Sequence, residues 1–119
     1  MATVAIWLDG EHAKIFEFTS SGINHFQMKK HEPDHHTHNS KDHSKHSDHF
    51  FKDILSKVKD AKGLILFGPG EARTHFKTFV IEHNQHLAKK ILANEAMDHP
   101  TDNQIIEHAR KLIPVAHQQ

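Results

Sequence analysis

The sequence predicts a single α/β domain on a mixed sheet, with elements running β-β-β-α-β-α-β-α along the chain. Three observations carry this expectation. The first thirty residues hold three short segments rich in β-branched and aromatic residues, separated by Asp9-Gly10 and by Ser20-Ser21-Gly22; turn signals at that spacing mark an antiparallel meander. The second half alternates amphipathic helical stretches with short apolar runs, the pattern of strand-helix-strand crossovers. Between the halves lies His31 to His49, HEPDHHTHNSKDHSKHSDH, in which seven of nineteen residues are histidine and none is aliphatic or aromatic. Such a segment has nothing to bury and reads as a solvated connector.

In order, Thr3 to Leu8 (TVAIWL) is the first strand, and AKIFEF after Asp9-Gly10 is the second, with Ala13, Ile15 and Glu17 alternating against Lys14, Phe16 and Phe18. Ile23, Phe26 and Met28 fall in a third extended segment with imperfect alternation. Phe50, Phe51, Ile54, Leu55 and Val58 recur on one face of a helix, whose start is expected near Ser44 or Ser47 and whose end is expected at Lys62-Gly63. Leu64 to Phe67 (LILF) is a continuous apolar run of the kind buried on both faces of a parallel sheet. Gly68-Pro69-Gly70 breaks it, and Ala72, Phe76, Phe79, Val80 and His83 line the next helix. Leu87 to Met97 has helical composition, yet a strand near Lys90 to Met97 is the better reading, because a lone central strand would lack a parallel partner. Thr101 and Gln104 form a capping box, Ile105, Ile106, Ala109, Leu112 and Ile113 make the last amphipathic helix, and Pro114 stops it. This order is the ribonuclease H-like topology, which by itself leaves function open.

At 119 residues the chain fits one domain, expected over 1–114 with a His-rich loop at 31–49 and a tail at 115–119. The absence of cysteine excludes disulfides, thiolate metal sites and thiol catalysis. The N-terminus, MATVAIWLDGEH, has no basic region and its apolar run breaks at Asp9, so neither a signal peptide nor a membrane helix is expected and the protein reads as cytoplasmic. Lys+Arg and Asp+Glu balance at 15 each, without the bulk positive charge of a dedicated nucleic-acid binder. The 15 histidines make that balance conditional: as pH falls through about 6.5, exposed imidazoles gain protons and attract polyanions.

Three constellations carry candidate chemistry. Nucleases of this topology hold two metals with converging carboxylates; Asp9 and either Asp48 or Asp53 stand at two of the positions, but the fourth strand ends in Phe67-Gly68 without an acid. Asp9 is better explained as a turn residue. His43, His46 and His49 are spaced i, i+3, i+6, so that a helix there would put His46 and His49 one turn apart as ligands for Zn or Ni; no cofactor is required, and a polar loop is the alternative. In GPGEARTHFK, Gly68 and Gly70 bound a turn into a helix N-terminus, with Arg73 and Lys77 one turn apart. That arrangement suits a phosphate, although a plain strand-to-helix turn is the simpler reading. His35, His36 and His38 are further candidates for RNA or phosphate contact.

With these residues in place, the chain resembles the middle domain of the archaeal and eukaryotic class I peptide-chain release factors and of Pelota. It is also similar to a small single-domain bacterial family of translational machinery proteins. The motifs that carry the likeness are His35 to His49, Phe50-Phe51, Leu64 to Phe76 (LILFGPGEARTHF) and Asp98 to Ile105 (DHPTDNQI), and the match extends from Val4 to Ile113. The resemblance implies contact with the ribosome or with RNA. It does not carry catalysis across: release factors act through a Gly-Gly-Gln loop between the third strand and the first helix, and this sequence has no Gly-Gly-Gln. The His tract occupies that location. Asp98-His99-Pro100 reads as a turn, Thr101 and Gln104 as a cap, and Asp98 with His99 as a possible polar pair. The leading expectation is therefore a non-enzymatic, translation-associated module binding ribosome or RNA through the His-rich loop. A metal-binding protein using the same loop comes second, and a remnant metal-dependent nuclease third.

Overall fold

The structure, a computed structural model, describes residues 2–30 and 43–114, and of residues 43–48 it describes the backbone. Among the described residues nine elements follow one another: β1 (Thr3–Leu8), β2 (His12–Thr19), β3 (Gly22–Lys29), α1 (His43–Val58), β4 (Gly63–Gly68), α2 (Ala72–His83), α3 (Gln85–Ala88), β5 (Ile91–Ala96) and α4 (Asp102–Leu112). The five strands form one sheet in the order β3-β2-β1-β4-β5. β1 runs antiparallel to β2 and parallel to β4, and β4 runs parallel to β5. The mixed α/β sheet expected from the sequence is present, including the strand drawn from the helix-like composition of Leu87 to Met97.

Every residue of β1 and of β4 is buried, because these two strands sit at the centre with helices over both faces. Val4, Ile6, Leu8, Ala13, Ile15, Leu64 and Leu66 face one core layer, which α1 closes with Phe50, Phe51 and Ile54 and α2 with Phe76 and Val80. Ala5, Trp7, Phe16, Ile65 and Phe67 face the other, closed by Ile105, Ala109 and Ile113 at α4. The imperfect alternation of β3 now has its cause: Ile23 packs toward the α4 layer, whereas Phe26 and Met28 pack toward the α1/α2 layer.

Four local expectations are corrected. α1 opens at His43, so the last seven residues of the tract are helical and the loop expected over 31–49 is shorter. α1 stops at Val58, and Gly63 instead opens β4 opposite Thr3. The first hairpin is not a two-residue Asp9-Gly10 turn: β1 ends at Leu8 and β2 begins at His12. Among the described residues Gly22 alone has positive φ, so Gly10 does not supply the left-handed backbone that a type I′ turn requires. Finally, the short α3 was not anticipated. Asn84 nucleates it, its side-chain oxygen accepting from the Leu87 N–H at 3.0 Å.

Candidate functional site

Asp9 shapes the rim of the site. Its Oδ1 accepts from the backbone N–H of Glu11 at 2.8 Å and of His12 at 2.7 Å, an Asx-type turn in which the side chain replaces a backbone acceptor. This fixes where β2 starts, and with it which residues of β2 and β3 face α4. On that face the pairs read, from one end to the other, Phe18 with Ile23, Phe16 with His25, Lys14 with Gln27, and His12 with Lys29. The row passes from apolar to cationic. α4 packs on the apolar half.

Beyond the end of α4 the polar half is open and forms the floor of a cleft of about 530 Å³. His12, Lys14, Gln27 and Lys29 make the floor, and Trp7 with His99-Pro100 makes the wall. Trp7 is buried and its indole N–H donates to two carbonyls, those of Met97 at 3.1 Å and Asp98 at 2.9 Å. The His99 ring lies 5.5 Å from the Trp7 ring at a 60° tilt, and its Nδ1 is 3.1 Å from the Asp98 carboxylate. Its side chain remains 71% exposed.

The segment Asp98 to Gln104 is thereby a clamp. Thr101 Oγ1 accepts from the Gln104 N–H at 3.2 Å while Gln104 Oε1 accepts from the Thr101 N–H at 2.9 Å, the reciprocal capping box the spacing predicts. Asp102, in the first turn of α4, reaches the Lys14 ammonium at 3.0 Å and stands 3.8 Å from His25 Nδ1. His25 in turn stacks flat on Phe16, with centroids 4.4 Å apart. Thus the C-terminal helix is tied to β1 by an indole, to β2 by an ion pair and to β3 through an imidazole.

The glycine-bounded turn after β4 is differently occupied. Gly68 is required by packing: a β-carbon there would run into the Leu8 carbonyl oxygen. Arg73 donates through Nε to the Gly68 carbonyl at 3.2 Å and through Nη1 to Asn94 Oδ1 at 2.7 Å, so its guanidinium ties α2 to the ends of β4 and β5. Gly70 borders a second cleft of about 360 Å³, whose ionisable lining is Asp9, Glu71 and His75. Glu71 is exposed at the α2 N-cap and pairs loosely with His75 at 4.0 Å. Lys77 is half-buried on α2.

Of the nuclease carboxylates, Asp9 serves the turn, Asp53 is exposed on α1, and the side chain of Asp48 lies outside the described residues. Among the described residues no three His, Asp or Glu side chains come together as a metal-holding group. Of the metal candidates, His49 is exposed, while the side chains of His43 and His46 lie outside the described residues, as do His35, His36 and His38 altogether. No described helix is long and apolar enough to cross a membrane. The cleft floor, with His12, Lys14, Gln27 and Lys29, was missed in the sequence. Its signal is the same-face alternation of cationic and polar residues at the end of β2 and β3, and it needs the register to be seen.

No protein-family model matches the chain, and no curated protein matches it. Solved structures do. Pelota of Archaeoglobus fulgidus superposes with a TM-score of 0.68 at 19% identity, over 94% of this chain and 31% of its own. The archaeal translation termination factor aRF1 gives 0.65 at 20%, over 99% and 36%. The chain shares its fold with Pelota and aRF1. Dom34 of S. cerevisiae, described as a translation termination-like factor involved in RNA quality control pathways and interacting with Hbs1, gives 0.57 at 20% identity, over 92% and 32%. The chain spans about a third of the length of each, in line with the resemblance to their middle domain.

Proposed function

We propose that this chain is a non-enzymatic, translation-associated module that binds the ribosome or RNA, with the His-rich segment from His31 to His49 as part of the contact surface. The supporting observation is the fold shared over nearly the whole chain with Pelota, aRF1 and Dom34, two of which are described as translation termination or termination-like factors. By the resemblance, the connection between the third strand and the first helix is where release factors carry Gly-Gly-Gln. Here that connection runs from Lys29 to His43 and holds histidines instead, which supports contact without hydrolysis. Imidazoles that gain protons between pH 8 and 6 strengthen attraction to phosphate and make it salt-sensitive.

The test is co-sedimentation of the purified protein with ribosomes at pH 6 and pH 8, at low and raised salt, against a variant with His35, His36 and His38 changed to Ser. Association that is stronger at pH 6, weakened by salt and reduced in the variant is expected. Absence from the ribosome pellet at both pH values removes the proposal.

A further inference from the structure

We infer that the cleft between the β2–β3 ribbon and His99-Pro100 is a nucleotide site, taking a phosphate on Lys29 and His12 and a base against the His99 imidazole. This deepens the RNA-binding reading above and rests on it for the source of the nucleotide.

Lys29, Lys14 and the imidazoles of His12 and His99 give the cleft donors for an anion. Three carboxylates stand near it, and each is already engaged. Asp9 accepts from two backbone N–H groups, Asp102 holds Lys14, and Asp98 lies beside His99 Nδ1. Lys29 is exposed and has no ion pair among the described residues, and His12 stands directly across the strand from it, with its Nδ1 3.6 Å from the Asp9 carboxylate. Two nitrogen-bearing side chains at adjacent strand positions reach one phosphate together, as in phosphate recognition by Lys. The second cleft, which shares Asp9 with the first, adds Glu71 and His75 and, among the described residues, is lined by no lysine or arginine.

The wall supplies the other half of a nucleotide's chemistry. Trp7 is locked from below by its two carbonyl acceptors, and it holds the His99 ring at 5.5 Å while leaving that side chain mostly exposed. An imidazole propped on a fixed indole is a pre-oriented shelf, and unpaired bases stack on His, Phe, Tyr and Trp in single-stranded RNA recognition. Pro100 adds apolar surface beside it. At about 530 Å³ the cleft lies within the range of small-molecule sites. Lys29 is also the last residue of β3, where the chain enters the His-rich connection, so a nucleotide held here lies at the root of the proposed contact surface.

The closing experiment measures fluorescence anisotropy of a labelled six-nucleotide single-stranded RNA with the full chain and three variants: Lys29→Gln, His99→Ala, and Lys59→Gln, which removes an equal charge from the exposed segment after α1. Lys29→Gln and His99→Ala are each expected to weaken binding about fivefold or more, and Lys59→Gln by less than about twofold. Equal effects of Lys29→Gln and Lys59→Gln, or no effect of His99→Ala, overturn the inference. His99→Asn replaces His99→Ala if the circular dichroism of the latter departs from that of the parent. Adenosine monophosphate distinguishes the sources: displacement of the RNA means that the free nucleotide suffices, and no displacement alongside the variant effects means that the nucleotide is taken as part of a chain. Ribosome co-sedimentation with normal RNA binding by the cleft variants sinks the inference and leaves the broader reading standing. Cleft-dependent nucleotide binding without ribosome association does the reverse.

Discussion

The two faces of the sheet are covered unequally, and the candidate site is the remainder. On one face α1 and α2 lie side by side; sixteen and twelve residues at ~1.5 Å per residue give about 24 and 18 Å of helix. Beneath them the core layer is unbroken from Val4 to Leu8 and from Leu64 to Leu66. On the other face α4 is the one helix among the described residues, with eleven residues or about 16 Å, over eight-residue strands that extend about 27 Å. One helix cannot cap such a ribbon. The uncovered part of β2 and β3 carries His12, Lys14, Gln27 and Lys29, where the covered part carries Phe16, Phe18 and Ile23. A site in this fold is therefore found where the helical cover stops and the cross-strand pairs turn polar.

The contrast is broken most severely from the closed face. Phe76 is fully buried and meets Phe51 edge-on at 5.5 Å, so Phe76→Ala is expected to lower the free energy of unfolding by about 3–5 kcal/mol, measured by urea denaturation. A loss below about 1 kcal/mol shows that the double-helix layer is looser than its burial indicates. On the open face the corresponding anchor is polar. Trp7→Phe keeps an aromatic ring, with less volume, but leaves the Met97 and Asp98 carbonyls without the indole donor, and a smaller loss of about 1–3 kcal/mol is expected. Hydrogen exchange localises the effect: faster exchange confined to the start of α4 supports the clamp, whereas uniform loss across the sheet means that Trp7 acts only as core volume.

What was legible in the sequence follows the same division. Buried strands announce themselves by composition: TVAIWL reads as a strand from its β-branched apolar run, and LILF as a strand buried on both faces. The Thr101–Gln104 box was readable because its chemistry is local, within one turn. The strand near Lys90 to Met97, observed at Ile91–Ala96, follows from the topological need for a partner to β4 and from the resemblance, against the propensity of the segment. Asp9-Gly10 misled, because Asp9 stabilises a longer connection through its side chain and Gly10 is not in a left-handed conformation. The cleft was not legible, since His12 and Lys29 become neighbours only through the β2–β3 register, and His99 joins Trp7 across 92 residues of chain. Arg73 shows the converse: it had the spacing of a phosphate contact, yet its guanidinium bonds the Gly68 carbonyl and Asn94.

The smallest expected effect on stability tests whether the open face is built for a ligand and not for packing. Asp102 holds Lys14 at 3.0 Å, and the two side chains are 42% and 29% exposed. Water and salt screen a pair so placed, and the favourable position of Asp102 in the first turn of α4 adds only a little, so Asp102→Asn is expected to cost about 1 kcal/mol or less. Its effect on binding has the opposite sign. Releasing Lys14 adds a free ammonium to the floor beside Gln27 and across the strand from Trp7, and affinity for the labelled RNA is expected to rise about twofold or more, most visibly at low salt. Urea denaturation and anisotropy on the same variant separate the possibilities. A loss of stability above about 2 kcal/mol makes Lys14–Asp102 part of the structural core. Unchanged affinity with intact stability shows instead that the Lys14 ammonium does not face the bound phosphate, which confines the anion to the outer pair, His12 and Lys29.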